Sequence, residues 1–301
     1  MPCSPAAPGL RDNMIPVPPS RYADLLPLLE AVHFNAHFAR AVLKGRVRGT
    51  VHVDDPGRPQ AAYILHPCGM SLLCGSSRPV PFTGALLDYM LDRAHLRRSA
   101  ELAQAFPDAW HGVLAAGLGP RLLRRDDPAR KGLDSAGVRK LGAGRVVEWS
   151  RLNFEFDSAA FQALREPPLP AGLRLERAGR DVFNPWPGSV LPCFFWDGAE
   201  EFDANGVAFA VFDGSRPLCV AFSAWMLDGV LEIGIETHAD ARMRGLAIVA
   251  CAALVRHALS RGLEPVWSAH RENRASQILA RRLGFTMTLQ LPYYELPVSA
   301  G

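Results

Sequence analysis

Lysine is nearly absent from this chain of 301 residues. Lys44, Lys131 and Lys140 are the only three, and arginine supplies the rest of the positive charge. With a formal net charge of +3, the chain lacks the basic face that a nucleic-acid groove needs. The arginine bias reads as genome composition rather than as a binding surface. Paired cysteines are missing too. Cys3, Cys68, Cys74, Cys193, Cys219 and Cys251 form no C-x-x-C pair. That argues against a zinc knuckle or a disulfide framework, and for reduced thiols in a cytoplasmic protein with no metal site. The longest apolar run, Leu246 to Val255, is too short to cross a bilayer, so no membrane partner is expected. No G-x-S-x-G elbow, Walker loop or H-E-x-x-H motif occurs, which removes the chemistries built on them. Residues 1–20 carry Pro2, Pro5, Pro8, Pro16, Pro18 and Pro19 without an apolar stretch, and read as a flexible tail rather than a signal peptide.

What is present supports a sizeable core. Hydrophobic residues make up 49% of the chain, and its length allows two ordinary domains. Leu164-Arg-Glu-Pro-Pro-Leu-Pro-Ala-Gly172 is the best linker, because its prolines disfavour both helix and sheet interior. The expected division is therefore a tail over 1–20, an α/β domain over 21–165, a linker over 166–172 and a second domain over 173–301.

In the leading domain, Tyr22 to Leu43 reads as helix, with Pro27 either dividing it or lying near its start. His33 and His37 then share a helix face and read as a structural pair rather than metal ligands. Gly49–Asp54 and Gln60–Leu65 make a hairpin across Asp55-Pro-Gly-Arg-Pro, with Asp54 and Asp55 as turn residues rather than catalytic carboxylates. Met70 to Cys74 adds a strand. Thr83 caps a helix through Leu91, Glu101 to Leu118 is largely helical, and Arg145–Trp149 and Asn153–Phe156 are strands.

After the linker, Leu173 to Arg177 is a strand. Asp181 to Phe202, rich in proline and aromatics, is either a substrate-facing loop-helix region or aromatic packing across the sheet. Gly206–Phe212 and Leu218–Trp225 form a hairpin across Asp213-Gly-Ser-Arg-Pro217. This hairpin echoes the earlier one: Val51-His-Val-Asp-Asp-Pro-Gly-Arg-Pro-Gln-Ala-Ala matches the pattern of Ala210-Val-Phe-Asp-Gly-Ser-Arg-Pro-Leu-Cys-Val-Ala. The two domains are therefore expected to share one strand order.

The most informative stretch is Leu231 to Phe285. A β-branched strand, Leu-Glu-Ile-Gly-Ile-Glu-Thr, leads into Arg242-x-x-Gly245-x-Ala247 and an apolar helix from Leu246 to Ser260 closed by Arg261 and Gly262. Val266-Trp-Ser-Ala269 is a strand. A last helix starts behind Asn273 and stops at Gly284-Phe285. A glycine turn at a helix start leaves backbone N–H groups without intrahelical partners at the positive end of the dipole, a setting that accepts phosphate. Gly245 permits close approach, Ala247 is small, and Arg242 and Arg244 add charge. An ordinary strand-to-helix turn with solvated arginines is the alternative. Simple capping likewise accounts for Asn273 as well as a ligand contact does.

Arg242-x-x-Gly245-x-Ala247, Asn273 and Gly284-Phe285, in this order, resemble the GNAT superfamily of acyl-CoA-dependent N-acyltransferases, and most of all a bacterial two-domain group with Glu-Ile-Gly-Ile-Glu-Thr before the loop. The resemblance covers Gly172 to the end. It implies an α/β (α+β) fold, with a mixed, mostly antiparallel twisted sheet flanked by helices, preceded by a degenerate GNAT-like domain that has no such loop. It implies acetyl-CoA (coenzyme A) as cofactor, with contacts from Ile235, Thr237, Arg242, Met243, Arg244, Gly245, Leu246, Ala247, Asn273 and Ser276. The partners are then acetyl-CoA and an amine acceptor, in a monomer or homodimer.

Glu232 and Glu236 fall on one face of their strand. Either suits the general base that an ammonium needs before it attacks, or each is a strand carboxylate paired with arginine. Glu232 fits the family's usual distance from the loop better; Glu236 lies beside the expected thioester position. An N–H near Ile235 to Thr237 would steady the thioester oxygen. Ala280 stands where the family commonly has a tyrosine acid, and Tyr293 and Tyr294 either substitute for it or fill a final strand. These readings give an N-acetyltransferase acting on a small molecule or protein amine. The alternatives are a non-catalytic acyl-CoA sensor and an interaction module without cofactor.

Overall fold

β-Branched and aromatic residues at alternate positions, punctuated by Gly, Pro and Asp, set the strands. The computed structural model describes residues 13–298. The chain forms two units. The first takes the chain up to Arg151 and again from Leu291, and the second runs from Leu152 to Gln290.

The first unit contains β1 (Ile15–Pro16), a 3-10 run over Pro19–Leu29, α1 (His37–Leu43), β2 (Thr50–Val53), β3 (Ala61–Leu65) and β4 (Met70–Gly75). α2 (Val80–Met90), β5 (Glu101–Phe106), α3 (Ala109–Leu118), β6 (Leu122–Leu123), α4 (Ser135–Leu141) and the start of β7 (Val146–Phe156) follow. β1 to β4 are antiparallel neighbours. β5 then lies parallel to β4, as a strand reached through a crossover helix must. In the second unit, the rest of β7 leads to α5 (Ser158–Gln162), β8 (Leu173–Ala178), α6 (Ala199–Asn205), β9 (Ala208–Asp213), β10 (Arg216–Leu227) and β11 (Val230–Thr237). α7 (Leu246–Ser260), β12 (Glu264–His270), α8 (Arg274–Arg282) and β13 (Phe285–Leu296) follow, β13 passing into the first unit at Leu291. β8 to β11 are antiparallel neighbours, and β12 lies parallel to β11.

The two units therefore repeat one order, four antiparallel strands and then a parallel one across a helix. The echoed hairpins, β2–β3 and β9–β10, take the same place in each. One difference separates the copies. β4 and β5 pair from Met70↔Leu102 to Cys74↔Phe106. β11 and β12 pair only over Val230↔Glu264, Leu231↔Pro265 and Glu232↔Val266, and both strands run on unpaired with each other beyond that.

In the second unit α7, apolar nearly all round, supplies Leu246, Ala250, Cys251, Leu254 and Val255 to a core shared with Val211, Ala221, Leu231, Ile233 and Trp267. In the first unit α2 and α3 bury Phe82, Leu86, Trp110 and Leu114 against Ala61, Tyr63, Leu73 and Ala103. Among the described residues no helix is long and apolar enough to cross a membrane, and no group of three His, Cys, Asp or Glu side chains is placed to hold a metal.

Several expectations need correction. Residues 1–12 of the expected tail lie outside the described residues, but Ile15 and Pro16 pair with Val53 and His52. The helix over Tyr22–Leu43 is a 3-10 run that passes through Pro27 to Leu29 and a separate α1, with Asn35 at a left-handed φ of 47° between them. His33 is thus outside any helix, and it shares no helix face with His37. The second helix starts at Val80 behind Pro79, with Thr83 inside it donating its hydroxyl to the Pro79 carbonyl.

Glu101–Phe106 is strand, not helix. Its helix-forming residues are overridden by the parallel ladder with β4 and by the buried carboxylate of Glu101. That carboxylate accepts from the hydroxyls of Tyr63, Ser71 (2.8 Å) and Tyr89 (2.7 Å) and pairs with Arg97 Nε at 3.3 Å. The two strands expected at 145–156 are the single β7. The stretch 166–172 lies within the second unit, where Leu164 and Leu169 pack on its core. Its prolines mark a segment that cannot join a ladder rather than a boundary. The actual division falls inside β7, where the sequence has no turn signal.

Candidate functional site

The loop after β11 is built by two left-handed residues, Met243 at φ 60° and Gly245 at φ 78°. Turns of this kind gather successive N–H groups into a concavity. Gly245 is the N-cap of α7, and no side chain caps that end, so the first N–H groups of a 15-residue helix are left to another acceptor. A Cβ on Gly245 would sit 3.1 Å from Pro167 Cγ, which places the proline-rich segment against the loop. That segment is tied down by an ion pair between Glu166 and Arg256. Met243 is fully exposed. Arg242 donates from Nε to the Thr237 carbonyl at 3.2 Å.

Beside the loop, β11 and β12 have parted. The N–H of His238 donates to Leu218 O, and alternation along the strand turns the N–H groups of Ile235 and Thr237 to the other edge, toward the gap. The Thr237 hydroxyl itself donates to Cys219 Sγ at 3.2 Å. Burial pushes the Cys219 thiol up to about 12, which leaves it protonated and without nucleophilic use. Asn273 and Ser276 sit at the start of α8. Asn273 Oδ1 accepts from the Ser276 N–H at 3.1 Å, and Ser276 Oγ is 3.1 Å from Trp267 Nε1. Capping is therefore what the Asn273 side chain does in the structure, while the Ser276 hydroxyl accepts from the Trp267 indole.

Leu231 and Ile233 face α7, so Glu232, Gly234 and Glu236 share the opposite face of β11. Glu232 is 6% exposed and accepts from Ser268 Oγ on β12 at 2.9 Å. Glu236 has different company. Its Oε2 accepts from the Ser189 N–H (3.2 Å), the Ser189 hydroxyl (3.1 Å) and the Val190 N–H (2.9 Å), while Oε1 lies 3.5 Å from Arg242 Nη2. The same face carries an aromatic layer. Phe195 packs on Phe222 and Trp225 at 5.5 and 5.1 Å, and Phe202 on Phe222 at 6.4 Å. Trp196 Nε1 donates to Ser223 O. The segment Asp181–Phe202 thus packs on the sheet and at the same time borders the Glu236 carboxylate.

Phe222 lies over Gly234, where an added Cβ would stand 2.4 Å from the ring. Gly234→Val is expected to destabilise the second unit by about 1–3 kcal/mol through overpacking, read as a lower urea midpoint. An unchanged midpoint would show that the aromatic layer yields freely.

The structure brings together Glu232, Glu236, Ile235, Thr237 and the 242–247 loop, with Asn273 and Ser276 on the next helix. Tyr293 and Tyr294 belong to the first unit, where Tyr294 Oη lies 2.8 Å from His111 Nδ1. They fill the final strand, and Ala280 is buried on α8. Sequence reasoning missed Pro167, Ser189 and Ser268. Only Ser268 had a signal, as a polar residue two positions from Val266 on the face opposite Trp267.

Residues 147–294 match the family described as GNAT acetyltransferase. Among solved structures, a GCN5-related N-acetyltransferase-like protein from Streptococcus suis superposes with a TM-score of 0.66 at 20% identity, over 93% of this chain and 100% of that one. A tandem GNAT protein from the clavulanic acid biosynthesis pathway gives 0.58 at 12% identity, over 96% and 99%. A GCN5-related N-acetyltransferase from Kribbella flavida gives 0.51 at 17%, over 90% and 98%. At these identities the likeness is one of fold, and it includes the tandem arrangement. No curated protein matches the sequence.

Proposed function

Because residues 147–294 belong to the GNAT acetyltransferase family, we propose that this protein transfers an acetyl group from acetyl-CoA to a primary amine of a small molecule or protein. The observation that carries the reading is the parting of β11 from β12 directly beside an uncapped, left-handed glycine loop. The residues fit the group: a left-handed glycine at the helix start where a Cβ would meet Pro167, a helix end without a side-chain cap, and Arg242 and Arg244 nearby for phosphate charge. The backbone from Arg242 through Ala247 would hold the pyrophosphate, with Ile235 and Thr237 along the gap and Asn273 and Ser276 at the neighbouring helix start. When bound, the thioester supplies an activated acyl carbon.

The chain's own groups do the rest. Glu232, buried and held by Ser268, accepts the proton that an ammonium must lose to become a nucleophile. The N–H groups of Ile235 and Thr237 point into the gap and suit an oxygen that gains charge. Glu236 is a weaker candidate for the base, because its carboxylate is already engaged by three donors and Arg242. The leaving thiolate, with a thiol pKa of about 8.5, departs tolerably without an acid, in keeping with Ala280. Among the described residues the first unit has no second loop of this kind: its β4–β5 ladder is closed, and its corresponding helix has Pro79, not a left-handed glycine, as its N-cap. The five described cysteines are free thiols, in keeping with a cytoplasmic protein.

Coenzyme A at a hundred times its dissociation constant is expected to stabilise the protein by about 2.7 kcal/mol, seen as a thermal shift. Gly245→Asp, which adds strain, a clash with Pro167 and a negative charge, should abolish the shift. No shift in the unsubstituted protein would discard the reading. A second reading, a non-catalytic acyl-CoA sensor, draws on Ala280. Binding of acetyl-CoA without turnover over a broad amine panel would favour it.

A further inference from the structure

We propose that Glu236 is a positioning residue that ties the acceptor-side loop to the cofactor loop, so that occupancy of the second sets the arrangement of the first. The inference rests on the acyl-CoA reading of the 242–247 loop and goes beyond it. One carboxylate holds two segments that are far apart in sequence. Oε2 collects the Ser189 N–H, the Ser189 hydroxyl and the Val190 N–H, all within 3.2 Å. Oε1 faces the guanidinium of Arg242, the first residue of the cofactor loop. The Glu236 side chain is 12% exposed and that of Arg242 62%, so the carboxylate is fixed in the fold and the guanidinium reaches into solvent.

The loop it holds has little regular structure of its own. Between Phe183 and Trp196 there is one 3-10 turn, Pro192–Phe194. Its other end is pinned by Cys193 N to Phe183 O and by Trp196 Nε1 to Ser223 O. The Ser189–Val190 end is held by Glu236. An anion arriving at the loop competes with Glu236 for Arg242, because a guanidinium binds phosphate in the same forked manner as carboxylate. As Arg242 turns to the anion, Glu236 loses its cationic partner and is left with only the loop donors. The loop then sits differently beside the aromatic layer.

Trp186 provides the readout. It lies three residues before Ser189 and packs edge-on against His238 at 5.6 Å. The full chain is titrated with coenzyme A at constant pH, with binding followed by calorimetry and the loop by tryptophan emission. The expected result is a change in emission at saturation that is lost in Trp186→Phe, which assigns it. Glu236→Gln keeps an acceptor oxygen for Ser189 and Val190 but has no charge for Arg242. In that variant the response at saturation is expected to disappear while calorimetry still reports bound coenzyme A. Glu236→Ala should lose it as well and should also alter the resting emission.

A Trp186 response that survives in Glu236→Gln overturns the coupling. So does binding to the unsubstituted protein with no Trp186 response. If calorimetry finds no coenzyme A bound to the unsubstituted protein, the cofactor reading itself fails and takes the coupling with it.

Discussion

Glu232→Gln is expected to lower the turnover of acetyl-CoA with a reactive amine by about 10²–10⁴-fold, the usual contribution of a positioned general base. Glutamine keeps the shape of the side chain and an oxygen for the Ser268 hydroxyl, which stands 2.9 Å from the carboxylate, so the strand pairing should survive. What it removes is the ability to take a proton. The measurement is thiol release over a broad amine panel, with coenzyme A binding checked in parallel. Turnover within threefold of the unsubstituted enzyme, with binding intact, would remove Glu232 from the chemistry. Glu236→Gln serves as the comparison on the same face of the same strand. As a positioning change it should act on the acceptor KM more than on kcat.

The second large effect is on stability. Arg97→Met is expected to destabilise the first unit by about 3–5 kcal/mol, because it leaves the buried Glu101 carboxyl without its cationic partner. Both side chains of this pair are almost wholly enclosed, at 7% and 5% exposure. The guanidinium also stacks over Tyr89 at 4.7 Å and donates to the carbonyls of Tyr89 at 2.8 Å and Pro297 at 3.1 Å. The neighbouring phenols respond to the same charge. The hydroxyl of Tyr63 is raised well above its ordinary range by burial first and by Glu101 second. Urea unfolding monitored by tryptophan emission would measure the loss. The double variant Arg97→Met with Glu101→Leu should recover much of it, since replacing both partners removes the stranded carboxyl. If the single variant unfolds at the unsubstituted midpoint, the cluster has no structural role.

The same cluster shows where the sequence was misleading. Glu-Leu-Ala-Gln-Ala is a run of helix formers, and its only indications of strand are long-range: a parallel ladder with β4 and a carboxylate matched to Tyr63, Ser71, Tyr89 and Arg97 across 12 to 38 positions for the hydrogen-bonded tyrosines. Local propensity cannot register such partners. By contrast α7 was legible to the residue, because its apolar pattern, its glycine start and its Arg261-Gly262 stop are all local signals. The candidate site divides in the same way. The 242–247 loop and the two strand carboxylates could be read from the order of residues. The different fates of Glu232 and Glu236 could not, because Ser268 and Ser189 decide them, 36 and 47 positions away. The proline-rich segment 166–172 has the composition of a linker but lies inside the second unit. Prolines report the absence of a ladder, and a segment draped over a helix start satisfies that as well as a boundary does.

The division of the final strand bears on how the protein is made. Leu296, Glu295 and Tyr294 pair with Glu101, Leu102 and Ala103, so the first unit borrows a strand from the far end of the chain. A ribosome delivers domains in order, and the leading one ordinarily folds first. Here the second unit has its complete complement of residues once Gln290 has been made, whereas the first waits for Leu291 to Leu296 to complete its sheet. Throughout synthesis of the second unit, β5 is a newborn strand with one edge unfilled, and the nascent chain must keep that edge from other partners until its own last strand arrives.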